Sequence, residues 1–172
     1  MIWTKLKKLS EDLLATSLQS RVEYHLTRYG SGVSAFMTRG WITFDGHEIV
    51  SCSTIKHIRK SYYLTGKWYS DEKSTLDELQ RQGIFTRQEY VAALSEYIRS
   101  PVQSALQSVN PITRAIVLLN RRIGKRTLRQ MTFPEDELQI VKDFYCIRCQ
   151  AEVLYKSLKD TRRFEGHPGV IS

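Results

Sequence analysis

The residues able to do chemistry are few and scattered. Cys146 and Cys149 stand three apart in FYCIRCQAE, a spacing that serves dithiol redox chemistry or half of a zinc site. A redox pair draws its thiolate from a helix N-terminus, but this one falls about three turns into the helix that the surrounding periodicity predicts. Tetrahedral zinc needs four ligands, and only Cys52 and the dispersed His25, His47, His57 and His167 remain. The pair reads as small core residues, reduced and metal-free. The sequence holds no GxSxG elbow, phosphate loop or HExxH, and Gly30-Ser31-Gly32 lacks the helix start of a phosphate cradle. No catalytic residue, metal ligand or cofactor is assigned. The reading leans away from an enzyme, although a site assembled from scattered residues stays open.

The cations carry more information. With 26 Lys and Arg against 18 acids, the chain has a formal charge of +8, and the excess is uneven. It concentrates in residues 1–69 and in NPITRAIVLLNRRIGKRTLRQM, Asn110 to Met131, which has six cations and no carboxylate. On a helix, Arg114, Arg121 and Lys125 fall within about 40° of one another, flanked by Arg122 and Arg126. Guanidinium forks on such a surface hold phosphate oxygens without reading bases. Lys56, Arg59 and Lys60 form a secondary basic patch. The structural alternative is that the 114–126 cations stabilise a helix C-terminus, or pair with Glu135 to Glu137 or with Asp71, Asp77 and Glu78. Tyr24, Tyr29, Trp41, Tyr62, Tyr63, Trp68 and Tyr69 all lie in the basic first third. Rings between cations suit single-strand stacking, but strands also favour aromatics for packing alone.

These side chains need elements to hold them. Ile2, Leu6, Leu9 and Leu13 recur at helical spacing and predict an amphipathic first helix. Val22, Tyr24 and Leu26 alternate with polar residues as a half-buried strand does, and SAFMT (34–38) and WITF (41–44) read as short strands. Asp45-Gly46 between WITF and HEIV is the best hairpin signal in the chain. Ser53 caps either a short helix with Ile55, Ile58 and Tyr62 inward or precedes an edge strand through Tyr62-Tyr63-Leu64, and Gly66 ends both.

Beyond Ser70 the signals are helical. Ser70 caps DEKSTLDELQRQ, with Gly83 closing it, and Thr86 to Glu89 is a capping box. Ser100-Pro101 and Asn110-Pro111 each restart a helix. Ile112, Ile116, Leu119 and Ile123 give the second of these one buried face, and Gly124 is placed to end it with positive φ. The last long helix opens near Pro134, its stripe running Ile140, Phe144, Ile147, Ala151, Leu154 and Leu158. A tail follows from Thr161.

The expected fold is α+β: an N-terminal helix and small antiparallel sheet over residues 1–69, then a mainly helical subdomain over 70–172, packed as one unit. No apolar run approaches the roughly 18 residues of a membrane span, and the N-terminus lacks a signal peptide's apolar core. Neither membrane nor disulfide framework is expected, and a cytoplasmic location follows.

Four pieces taken together, WTKLKKLSEDLL, RVEYHLTRYG, LLNRRIGKRTL and FYCIRCQAE, resemble a family of small uncharacterised bacterial proteins. RRIGKR and FYxxRCxAE are the more specific. The resemblance implies a bacterial, cytoplasmic, α+β protein and assigns no functional residue. The expected function is a non-enzymatic module that binds an anionic partner, nucleic-acid backbone foremost, through Arg114, Arg121, Arg122, Lys125 and Arg126. The alternative is an adaptor or inhibitor whose partner is an acidic protein.

Overall fold

The computed structural model describes residues 2–28, 38–68, 70 and 72–153. Three strands, β1 (Val22–Arg28), β2 (Thr38–Phe44) and β3 (His47–Ser53), form an antiparallel sheet in the order β1-β2-β3. Asp45 (φ 50°) and Gly46 (φ 79°) make the β2–β3 turn, both in the left-handed region that a two-residue hairpin requires. The register then aligns Tyr24, Ile42 and Val50 across one face, with Leu26, Gly40 and Cys52 in the next row. Most of this face is buried. The sheet is the antiparallel one expected; the SAFMT strand lies outside the described residues except for Thr38.

Two helices cover the inner face, α1 (Trp3–Asp12) and α4 (Arg87–Arg99). The capping box of α4 is complete: Thr86 Oγ1 accepts from the Glu89 amide, and Glu89 accepts from the Thr86 amide. The ring of its Tyr90 lies against Gly40, where any β-carbon would run into it, and its hydroxyl donates to the Trp41 carbonyl at 3.2 Å. In α1 the expected stripe shifts. Leu6 is buried, but Ile2 and Leu9 are exposed and Ser10 takes the inner position. Ser10 bonds the Leu6 carbonyl at 2.9 Å, so a small, satisfied side chain lets the helix sit close.

Ser53 caps α2 (Thr54–Thr65), accepting from the Lys56 amide, and Gly66 closes it at φ 71°. The segment is a helix and not the edge strand. Its inward residues are Thr54, His57 and Ser61, and the expected Ile55 and Tyr62 point outward instead. After it, α3 (Lys73–Arg81) starts at Glu72, later than a Ser70 cap required. The Ser70 hydroxyl accepts from the Glu72 amide at 3.4 Å.

A short α5 (Val102–Leu106) leads to α6 (Pro111–Val117), the hub of the helical half. Asn110 caps α6 by accepting from the Ile112 amide at 3.0 Å, with Pro111 at the first position. Six of its seven residues are buried, and it packs on α4, α5 and α8 (Gln139–Ala151). Between α6 and α8 lies α7 (Lys125–Gln130). The long helix expected through Ile123 is therefore two helices and a turn. Gly124 does not close the first with positive φ: at φ −77° and ψ 160° it is the extended N-cap of α7.

The reason is a contact from far away in sequence. Leu14 and Asn120 form an antiparallel bridge, in which Ala15 donates to the Leu119 carbonyl and Arg121 to the Leu13 carbonyl, both at 2.9 Å. Those backbone groups are then lost to helix continuation. Asn120 finishes the turn by accepting from the Arg122 amide at 2.9 Å. The last helix also starts late, since Glu137 is engaged in side-chain bonds just ahead of it. Ile140 and Phe144 are buried as expected, joined by Val141, Arg148 and Cys149, while Leu154 and Leu158 lie outside the described residues.

One hydrophobic cluster unites the halves, running from Leu6 and Tyr24 through Ile42, Tyr90 and Ile116 to Phe144. Among the described residues, no helix is long and apolar enough to cross a membrane.

Candidate anion-binding surface

The bridge at Asn120 decides where the cations go. Arg114, on α6, turns inward: it donates to the Ser108 carbonyl at 2.6 Å and pairs with Glu137 at 2.8 Å, largely buried on both sides. It is a structural residue and not part of an open surface. Arg121, Arg122, Lys125 and Arg126 follow the turn and are exposed, as is Arg129 on α7. Lys125 pairs with Glu152 at 3.0 Å. Arg121, Arg122, Arg126 and Arg129 make no ion pair among the described residues.

Behind these cations is a buried polar knot. Arg148 of α8 is 3% exposed and donates Nη2 to the Ile123 carbonyl at 3.2 Å. Its Nη1 lies 3.2 Å from Glu152, which also accepts from Ser17 at 2.7 Å. Burial lowers the Arg148 pKa, opposed by Glu152. Burial would raise the Glu152 pKa, but Ser17, Lys125 and Arg148 together hold it below its ordinary value. Asn120, 3% exposed, joins the knot from the turn, and Tyr97 lies beneath it. Burial pushes the Tyr97 phenol up, while Asn120 and the charges of Arg122, Arg148 and Arg121 pull it down. The knot holds the Ile123 carbonyl and the Asn120 turn, and the side chains of Arg121, Arg122, Lys125 and Arg126 around it are exposed.

Arg121 marks the border. It lines a cleft of about 780 Å³ together with Lys7, Glu11, Asp12 and Glu23. Three carboxylates in that cleft oppose an anion. The exposed cations clear of that cleft are Arg122, Lys125, Arg126 and Arg129, with Arg121 on its rim.

The secondary patch lies on α2, where Lys56 and Arg59 are exposed and Lys60 is half-buried. It is held by a different set of neighbours, since α2 packs on α3 and β2 and the 120–125 turn is tied to α1 and α8. Of the aromatics in the first third, Tyr24 is core and Trp41 stacks on His25 under Arg39. Tyr62, Tyr63 and Trp68 are exposed, and Tyr29 and Tyr69 lie outside the described residues.

Cys149 is buried and Cys146 half-buried, both free, in the second half of α8, with Cys149 in its last turn. Burial raises the Cys149 pKa, the reverse of what a reactive thiol needs. Among the described residues no group of three or more His, Cys, Asp or Glu is placed to hold a metal.

Sequence reasoning missed Arg148, Glu152 and Asn120 as the scaffold. One signal was available: an Asn between a leucine run and two arginines is a turn former with a side chain that accepts from its own backbone. No curated protein and no solved structure matches the chain. The SF0329 family model, however, matches residues 2–149, a span that takes in the first three resembling pieces whole and the start of the fourth. The chain belongs to the SF0329 protein family.

Proposed function

We propose that this chain is a non-enzymatic module that holds nucleic-acid backbone on the cationic surface of Arg122, Lys125, Arg126 and Arg129. The observation that carries this reading is the division of labour among the cations. Arg114 and Arg148 are consumed by internal carboxylates and carbonyls, whereas Arg122, Arg126 and Arg129 are exposed and have no acid partner among the described residues. Structural cations find partners; these are presented. Each guanidinium offers two parallel donors to a phosphate, and no base-reading element accompanies them, so binding is independent of sequence. The bacterial, cytoplasmic setting belongs to the same proposal and rests on the family resemblance.

Fluorescence anisotropy with labelled duplex and single-stranded nucleic acid, at several salt concentrations, tests it. Three or four phosphate contacts give a duplex slope of roughly −3, so a tenfold rise in salt weakens binding by about three decades. Replacing Arg122, Arg126 and Arg129 together by Gln flattens that slope with helix propensity kept. No binding below about 100 μM at low salt would falsify the proposal. Capture of an acidic protein, abolished by the same triple variant, would put the adaptor reading in its place.

A further inference from the structure

The helix α2 is built inside out. Its buried residues are the small or polar Thr54, His57 and Ser61, and its exposed ones include Ile55, Tyr62, Tyr63 and Leu64. An amphipathic helix that follows burial does the opposite. Taking about 100° per residue, the outward arc reads Tyr62, Ile55, Arg59, Tyr63, Lys56 over roughly 120°. Rings and cations alternate on it, and the helix contains no Asp or Glu. Trp68 folds back from beyond Gly66 to stack on Tyr62, with centroids 4.7 Å apart and planes 26° from parallel. Trp68 is 67% exposed and Tyr63 75%, so both rings are available to a ligand.

We infer that the outward face of α2, with Trp68, is a base-stacking platform for single-stranded nucleic acid. Every base has a π-face that can extend a Tyr62–Trp68 stack or lie on Tyr63, while Arg59 and Lys56 sit where the intervening phosphates run. The alternation argues for this partner over a bilayer. An interfacial helix segregates its cations from its apolar face, because charges among the rings would be drawn toward the acyl chains. Duplex nucleic acid, with its bases paired and stacked, gains nothing from exposed rings. The site uses none of the residues of the 122–129 surface, so either proposal can fail alone.

The test pairs Tyr63→Ala/Trp68→Ala with Tyr63→Phe/Trp68→Phe and measures anisotropy with labelled 12-mer oligo(dT), oligo(U) and a random duplex. Circular dichroism checks the fold, which exposed side chains barely support. The alanine pair is expected to weaken single-strand binding about tenfold or more and to leave duplex binding unchanged. The phenylalanine pair keeps a π-face and retains most of the single-strand affinity. Arg59→Gln lowers the single-strand salt slope by about 0.7. Loss confined to the alanine pair, with the Arg122/Arg126/Arg129 triple variant binding normally, supports the platform and removes the first proposal. Equal loss on duplex and single strand overturns the platform, as does no loss on either. Binding to vesicles of anionic phospholipid that the alanine pair abolishes, with single-strand binding intact, assigns the face to a membrane and overturns it too.

Discussion

The cations of residues 121–129 and those of α2 reach solvent by opposite constructions. The first group follows an irregular turn that is held from below by Arg148, Glu152 and Asn120, a knot of charge-assisted and backbone bonds. The second stands on a regular helix that rests on Thr54, His57 and Ser61 and needs no such knot. One set is anchored by buried polar bonds and has no aromatic residue within 121–129; the other is fixed by helix geometry and interleaves rings with charge. The difference teaches what each is suited to grip. On the two readings proposed above, a cationic segment with no ring of its own offers phosphate contacts, whereas α2 adds stacking. It also says where stability and binding are coupled: strongly at the turn, weakly on the helix.

Breaking the knot should give the largest effect. Arg148→Met leaves the Ile123 carbonyl unpaired and Glu152 with only Ser17 and Lys125, at a cost of about 3 kcal/mol. Urea unfolding should register it, and binding through the 122–129 surface should weaken although no surface residue has changed. A midpoint equal to wild type would mean that the knot does not hold the turn.

Glu152→Gln is milder, about 1–2 kcal/mol, since glutamine can still accept from Ser17. It also has a pH signature. The folded pKa of Glu152 is lowered, so the unfolded chain binds the proton more readily. The stabilisation is present above the unfolded carboxylate pKa and is lost as pH falls from there through the folded value. The gap between wild type and Glu152→Gln should therefore narrow on acidification below about pH 4.5. A gap that widens would contradict the assignment.

Two glycines make the finer comparison. Gly66→Ala forces a β-carbon onto a φ of 71° and should cost about 1 kcal/mol. Gly124→Ala sits at φ −77° with nothing within 4 Å. There the entropy gained in the unfolded chain offsets the poorer N-cap, leaving the change within about 0.5 kcal/mol. If Gly124→Ala were the more damaging of the two, the split between α6 and α7 would be wrong. Smallest of all, Tyr63→Ala should move the unfolding midpoint by less than about 0.5 kcal/mol, because an exposed ring on α2 supports binding and not the fold.

Features set by neighbouring residues were legible in the sequence. Asn110-Pro111, Asp45-Gly46 and the Thr86–Glu89 box each specify a cap or turn within four residues, and each takes the form expected. The end of α6 was not, because it depends on Leu14, about a hundred residues away, claiming the backbone around Asn120. The inward side of α2 was hidden for a related reason. Periodicity identifies an apolar stripe but not whether a partner element lies against it, and here the helix meets β2 and α3 with Thr54, His57 and Ser61. Of the five cations assigned to the site, Arg121, Arg122, Lys125 and Arg126 are exposed, while Arg114, at the same spacing, turns inward to Glu137. Spacing on an assumed continuous helix could not separate them once that helix broke.

The bridge between Leu14 and Asn120 also sets an order of events. A contact between residues that far apart closes a large loop, and the chain loses that entropy before the bond returns anything. During synthesis α1 emerges about a hundred residues before Leu119 and Arg121, which bond the backbone at Ala15 and Leu13 just past its C-terminal end. The hairpin at Asp45-Gly46 and the capped helices α4 and α6 are local and form without it. Sealing of the C-terminal end of α1 against the 119–121 backbone is therefore expected late, although α1 can already meet β1 beside it. The amides of Ala15 and Arg121, which close the loop, are the hydrogen-exchange probes for that step.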